Sequence, residues 1–342
     1  MDRQNTPLDV LITIPLAESS LSRLKEISPR LRIVNYPARK TEDIPDDVWA
    51  RCEVLYTERV LPTPSQTPRL RWIQFHAAGI DAFADSPFLK NHEITVTTLS
   101  GASASQMGEY AVMMLLALGH RVPELVAAQA KAEWPRDKYD RFSPRELRGS
   151  TVGLVGYGSI GRQIARLLQP FGAQILAAKR DVMHPEDPGY TEEGLGDPGG
   201  DYFQRLYPIQ ALKSMLQECD FVVVCVPHSP ETSGLLGAEE LGAMKPGAFL
   251  VDVSRGGVID QAALIQALQE RKIGGAAMDV FAEEPLPAAS PLWKLPNVLI
   301  TPHIAGSSPH YNERAVEMFA ENLQRFLAGL PVFNRYDRQR GY

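Results

Sequence analysis

The chain has 342 residues, enough at roughly 150 residues per domain for two domains, or three, with a sizeable core. Hydrophobic residues make up 44% and charged residues 22%, ordinary globular usage that excludes a wholly disordered or fibrous chain. The net charge of -6, from 35 basic and 41 acidic side chains, leaves no electrostatic footprint for DNA, RNA or an anionic membrane, so none of these is expected as a partner.

The start, Met1 to Asp9, is polar and runs into a short apolar stretch broken by Pro15, without the pattern of a secretory signal. Short β-rich runs follow at Val10 to Ile14, Leu31 to Tyr36, Val54 to Thr57, Leu70 to Phe75 and Ile94 to Thr98, spaced as βα units around a parallel sheet. A long helical region is expected near 103 to 132. Ser103 with Gln106 three residues on reads as a capping box, and the apolar run Tyr110 to Leu118 makes this either a helix between two packed bodies or a plain core helix.

From Thr151 the alternation restarts. Val152 to Val155 reads as a strand, Ile160, Ile164, Leu167, Leu168 and Phe171 follow helical spacing, and Gln174 to Ala178 reads as a second strand. Residues 184 to 201 are dense in glycine, proline and acid, which predicts an exposed loop with no function attached. Strands are expected at Phe221 to Val226, Phe249 to Val253, Ala276 to Val280 and Val298 to Thr301. They alternate with helices near 208 to 218, 237 to 244 and 260 to 271, and a final helix at 309 to 328 precedes a polar tail. The apolar runs fall far below the ~20 residues that span a bilayer. Cys52, Cys219 and Cys225 are odd in number and lack metal-ligand spacing, so free thiols in a reducing, cytoplasmic setting are expected, and no metal.

The chemistry begins at Gly156-Tyr157-Gly158-Ser159-Ile160-Gly161, set between a short apolar strand and an amphipathic helix, the context a dinucleotide fingerprint requires. The first glycine permits the tight turn, the second lets backbone approach a pyrophosphate, and the third lets helix and strand pack closely. The helix N-terminus then offers N–H groups to the anion. About 20 residues on, an acid accepts the ribose hydroxyls of NAD, whereas a basic residue accommodates the 2′-phosphate of NADP. Here the strand ends Ala178-Lys179-Arg180-Asp181. Lys179 and Arg180 stand where the acid is expected, so NADP(H) is the expected cofactor, with Arg180 favoured for its fork. A solvated pair, or NAD(H) bound through Asp181, is the alternative.

With this turn in place the chain resembles the D-isomer-specific 2-hydroxyacid dehydrogenase family, from about Gln74 to Gly306. The resemblance includes Val226-Pro227-His228-Ser229-Pro230-Glu231-Thr232, Met244-Lys245-Pro246-Gly247-Ala248 and Val253-Ser254-Arg255-Gly256-Gly257 with Asp260. Met278-Asp279-Val280-Phe281 with Glu283-Glu284-Pro285-Leu286, and Asn297-Val298 with Thr301-Pro302-His303, complete it in order. It implies an α/β chain of two doubly wound parallel-sheet domains with the active site in the cleft between them. One is a Rossmann NAD(P)-binding domain, 106–307, and the other a flavodoxin-like substrate domain, 1–105 and 308–342, assembled from both chain ends. It also implies a homodimer through the helical region near 103 to 132, and cofactor contacts at the glycine turn, Lys179, Arg180, Val226, Pro227, Thr232, Val253, Ser254, Asp279 and Gly306.

The family's catalytic positions carry over onto Arg255, Glu284 and His303. In reduction of a 2-oxo acid, hydride from the nicotinamide reaches the carbonyl carbon and negative charge grows on the oxygen, where a proton donor lowers the barrier. A histidine titrates near working pH, a neighbouring carboxylate favours its charged form, and an arginine fork suits the substrate carboxylate and carbonyl. Taken singly, Arg255 reads as a strand-end surface cation, Glu284 as part of an acidic turn with Glu283, and His303 as a satisfied histidine. Taken together in the family's order, they read as catalytic. The loop at Ala77, Ala78 and Gly79 resembles the one whose amides bind the acid's carboxylate, or it is merely a turn, and His76 before it is a candidate cleft residue. The expected substrate is a small 2-oxo or 2-hydroxy acid such as glyoxylate or hydroxypyruvate. The rivals are a nucleotide-regulated corepressor on the same fold, for which the polar tail after Pro331 would serve partners, and an NAD-linked formate or phosphite dehydrogenase.

Overall fold

The computed structural model describes Thr6–Tyr342; the beginning of the polar start, residues 1–5, lies outside the described residues. By contacts the chain divides into two compact units, one formed by Met1–Ala102 with Ser308–Tyr342 and the other by Ser103–Ser307.

The first unit holds β1 (Leu8–Ile12), β2 (Leu31–Asn35), β3 (Val54–Thr57), β4 (Trp72–Phe75) and β5 (Thr95–Thr97). They pair in parallel in the order β2-β1-β3-β4-β5, the flavodoxin-like winding. Both faces are covered. Trp49, Ile73, Phe88 and Val96 pack on one side, and on the other Leu24, Tyr56 and Trp72 meet Phe319 and Leu323 of the helix Tyr311–Leu327. Burial on two faces is why β3 and β4 are apolar at nearly every position rather than at alternate ones.

The polar tail folds back onto this unit. Arg335 bridges Thr97, Tyr336 is buried, and Arg338 donates to the carbonyls of Leu89, Asn91 and Ile94. The tail is thus committed to backbone carbonyls of its own unit.

The second unit holds β6 (Thr151–Val155), β7 (Gln174–Lys179), β8 (Arg205–Pro208), β9 (Phe221–Val224), β10 (Phe249–Asp252), β11 (Gly275–Met278) and β12 (Val298–Ile300). Their order, β12-β11-β10-β9-β6-β7-β8, is parallel throughout and reverses direction between β6 and β9. That is the doubly wound Rossmann arrangement, whose ligands lie outside the carboxyl ends of the strands near the reversal. β8 has no counterpart among the sequence expectations: Arg205-Leu206-Tyr207-Pro208 is a short edge strand, too short to carry a period. The helix expected at 208 to 218 shrinks to the turn Ile209–Ala211 and Leu212–Leu216.

Two further expectations are corrected here. The region near 103 to 132 is not one helix but two, Ala104–Gly119 and Val122–Ala130, bent by 64°. Arg121 breaks them by taking a left-handed conformation at φ 57, and Pro123 follows. Nor is there a capping box. Ser103 precedes the helix with ψ near 5° instead of the extended cap geometry and makes no side-chain cap bond, while Gln106 Nε2 donates to the carbonyl of Gly306 at 2.8 Å. Among the described residues no single helix is long and apolar enough to cross a membrane.

Candidate functional site

The candidate residues of the second unit all follow the carboxyl ends of strands. After β6 the chain turns at Gly156, whose φ of 107 an L side chain rarely adopts. The helix Ser159–Leu168 then begins. A methyl group on Gly161 would lie 2.2 Å from the Gly156 carbonyl oxygen, so helix and turn touch there because no side chain intervenes. A methyl group on Gly158 would meet nothing within 4 Å. Open space over a glycine at a helix N-terminus is what a pyrophosphate needs, and the turn therefore fits a dinucleotide. Ser159 and Ile160 are half-buried, whereas Tyr157 is turned inward at 2% exposure, donating from its hydroxyl to Asp197 Oδ2 at 2.6 Å. Only its backbone is left for a nucleotide.

The basic strand end makes polar contacts, with Lys179 half-buried and Arg180 exposed. Lys179 Nζ donates to the carbonyls of His184 at 2.6 Å and Glu186 at 3.4 Å, and Arg180 pairs with Glu231 at 2.8 Å. Asp181 accepts from His184 Nδ1 at 2.8 Å. Burial, then the charge of Arg162, holds the Lys179 ammonium below the ordinary lysine value. The 184–201 segment is irregular, as its composition predicts, but it is not simply exposed: Gly196 and Asp197 are buried against the nearly inaccessible Arg162.

After β9, Val226 packs against the glycine turn, and Thr232 closes its loop by donating to the carbonyl of Pro227 at 2.7 Å and accepting from Ser229 N at 2.8 Å. After β10, Val253 and Ser254 are buried and Arg255 is half-buried, its NH1 donating to the Ser254 carbonyl at 2.8 Å. The Asp252 carboxylate accepts from Ser254 N and Oγ. Burial, with a smaller push from the Asp279 charge, raises it to about 7 against the pull of those two bonds.

Asp279, after β11, is buried and held by its own chain. It accepts from Thr301 Oγ1 at 2.6 Å, Ile304 N at 2.9 Å and Ala305 N at 2.8 Å. Thr301 in turn meets the Tyr110 hydroxyl at 2.6 Å. These bonds brace the turn in which His303 sits at φ 53, a left-handed conformation that a histidine holds only when its surroundings impose it. Tyr110, Thr301 and Asp252 are residues that the sequence motifs did not assign to the site; only its hydroxyl at the head of the apolar run to Leu118 could have pointed to Tyr110.

His303 Nδ1 lies 2.7 Å from Glu284 Oε2, and Glu284 Oε1 accepts from Phe281 N at 3.0 Å. Partial burial would raise the Glu284 carboxyl. The His303 hydrogen bond, the Phe281 amide and the charges of His303 and Arg255 outweigh it and hold Glu284 below the ordinary value. The structure thus brings Glu284 and His303 into contact, with the Arg255 charge acting on the pair.

Ala77, Ala78 and Gly79 belong to the first unit, just after β4, with Ala78 and Gly79 exposed. The Ala77 carbonyl accepts from Leu99 N at 2.9 Å. His76 is clamped between Tyr56, 2.6 Å from Nδ1, and Asn312, 3.1 Å from Nε2, and burial keeps its pKa below the ordinary value.

Comparison with known proteins agrees with this geometry. The family model described as D-isomer specific 2-hydroxyacid dehydrogenase, NAD binding domain, matches residues 112–305. A glycerate dehydrogenase of Methylorubrum extorquens is 31% identical over 79% of this chain and 80% of its own length. A glyoxylate reductase of Korarchaeum cryptofilum is 33% identical over 94% of this chain and 93% of its own. A D-isomer specific 2-hydroxyacid dehydrogenase of Xanthobacter autotrophicus, solved with NADPH and MES, superposes with a TM-score of 0.78 at 28% identity, over 98% of this chain and 100% of that one.

Proposed function

The chain belongs to the D-isomer specific 2-hydroxyacid dehydrogenases, NAD(P)-dependent oxidoreductases of 2-hydroxy acids, and on that premise we propose that it reduces a small 2-oxo acid such as glyoxylate or hydroxypyruvate with NADPH. The observation that carries this reading is the 2.7 Å contact between Glu284 and His303 beside Arg255. The bound nicotinamide supplies the hydride. His303 donates the proton to the nascent alkoxide from Nε2, while Glu284 accepts from Nδ1 and fixes the ring. Arg255 orients the carbonyl and carboxylate through its planar fork. The second unit holds the dinucleotide at the glycine turn, Val226, Pro227, Thr232, Val253, Ser254, Asp279 and Gly306. Ala77, Ala78 and Gly79 are the residues whose backbone amides would take a carboxylate.

Lys179 spends its ammonium on loop carbonyls, so Arg180 is the residue for the 2′-phosphate, exchanging Glu231 for a charge-assisted bond to phosphate. The protein acts as a homodimer in the cytoplasm. Met113, Leu125, Val126, Trp134 and Tyr139 of the second unit are exposed and apolar or aromatic, surface that a second copy would cover, and the three cysteines are unpaired thiols.

The test is oxidation of NADPH and of NADH with glyoxylate, hydroxypyruvate, pyruvate and bulkier 2-oxo acids, in wild type, Lys179→Ala and Arg180→Ala. Turnover of the smaller acids, with NADPH preferred and the preference lost in Arg180→Ala, is the expected result. A preference for NADH, or one for NADPH that survives both substitutions, overturns the cofactor assignment. Absence of turnover with every acid overturns the substrate class.

A further inference from the structure

Residues 180–204 connect β7 to the parallel β8 without a regular element, where such a crossover usually carries a helix, and long ordered loops of this kind are commonly functional. This one is fastened from within. Arg162, 1% exposed, donates from NH1 to the Asp197 carbonyl and from NH2 to the Pro185 carbonyl, both at 2.5 Å, and its Nε lies 3.4 Å from Asp187 Oδ2. The Asp197 side chain accepts from the Tyr157 hydroxyl, in the glycine turn itself, and from the amides of Asp201 and Tyr202. Gln163 Oε1 accepts from Gly196 N at 2.7 Å. A loop that composition alone would leave loose is thus held to the first helix of the dinucleotide fold.

What this anchoring delivers is one imidazole. The carbonyl of His184 is held by Lys179 and the next carbonyl, that of Pro185, by Arg162, so the residue is fixed on both sides although its ring is exposed. The ring's Nδ1 meets Asp181 Oδ2 at 2.8 Å, and Asp181 Oδ1 accepts from Met183 N at 3.1 Å. Asp181 is the acid at this strand end that would accept ribose hydroxyls from NADH and repel a 2′-phosphate.

We propose that His184 is a specificity-determining residue: it holds and neutralises the Asp181 carboxylate, removing from the ribose site the acid that favours NADH. The inference rests on the NADPH reading above and deepens it. The charged groups around His184 are Asp181, Glu186 and Lys179. The Asp181 hydrogen bond outweighs the opposing effect of Lys179 and keeps the imidazole protonated to higher pH than an ordinary histidine. The NADPH preference should therefore decline as pH rises through the titration of this imidazole, while the 2′-phosphate, with its second pKa of ~6, is already largely ionised at pH 7 and above.

The experiment is kcat/KM for NADPH and NADH, from pH 7 to 9, in wild type, His184→Gln, Asp181→Asn and the double variant. His184→Gln is expected to lower the NADPH/NADH ratio at pH 7 about threefold to fivefold through KM, as exposed ion pairs allow, with kcat at saturating NADPH retained. The same substitution in the Asp181→Asn background should leave the ratio unchanged, and both variants should flatten its pH dependence. A wild-type ratio in His184→Gln overturns the proposal, as does an equal loss in the Asp181→Asn background, which would make His184 a direct phosphate ligand. The NADPH reading fails separately, on a wild-type ratio below one, and the coupling of 181 to 184 is still measured in that case.

Discussion

His303→Ala is expected to lower kcat on the order of 100-fold or more with little change in nucleotide Kd, because a proton is donated only in the transition state. Near wild-type kcat in folded protein would remove His303 from the mechanism. Glu284→Gln keeps the shape of the pair but deletes the anion that accepts from the imidazole, so kcat should fall about tenfold or more with nucleotide Kd unchanged. Wild-type kcat in the folded variant would refute the pairing. Asp252 gives a stability signature of opposite origin. Between about 4, where an unfolded aspartate ionises, and about 7, where the buried one does, the folded chain keeps a proton the unfolded chain has lost. Its cost to stability therefore grows as pH rises through that window and is complete above it. Asp252→Asn, whose amide oxygen can still accept from Ser254, should raise Tm by several degrees more at pH 8 than at pH 5. An equal change at both pH values would show that Asp252 does not titrate there.

At the scale of the element, the glycine turn separates two requirements that the motif alone runs together. Gly161→Ala places a methyl group against the Gly156 carbonyl oxygen and forces the helix Ser159–Leu168 away from β6, at a cost of about 1 to 3 kcal/mol by analogy with overpacked cores. Gly158 has a negative φ of -91 and open space where the methyl would go, so Gly158→Ala should leave Tm unchanged and raise nucleotide KM about tenfold or more. Thermal melts of both variants, with nucleotide titrations, check the contrast. Destabilisation of Gly158→Ala, or tight nucleotide binding by it, would mean that the phosphates do not approach at this glycine.

For the whole molecule, the two units bury both faces of their parallel sheets, so neither leaves a sheet face to mark an interface. Several exposed apolar side chains lie on and after the two helices that meet at Arg121, where Met113 and Val126 are each more than half exposed and Trp134 is 85% exposed. If the proposed homodimer uses this surface, Val126→Asp with Trp134→Ala should sediment as a monomer, with a Tm that no longer rises with protein concentration. A dimer unaffected by both substitutions would place the interface elsewhere.

The sequence by itself determined the alternation of β and α, the glycine turn and the ordered motifs that carry Arg255, Glu284 and His303. Each is local: a buried parallel strand must be a continuous apolar run, and a pyrophosphate turn must have glycine at fixed offsets. Tertiary structure alone decided what happens to polar groups, because a hydroxyl or carboxylate takes whatever partner the fold brings to it. Asp279 serves the His303 turn through Thr301, Ile304 and Ala305, and Gln106 serves Gly306 instead of a cap. The same reason governs the segment at 184–201. Its glycines, prolines and acids correctly announce irregular backbone, but only the fold places Arg162 beneath it, and only a buried guanidinium in need of acceptors makes that loop a fixed part of the dinucleotide-binding unit.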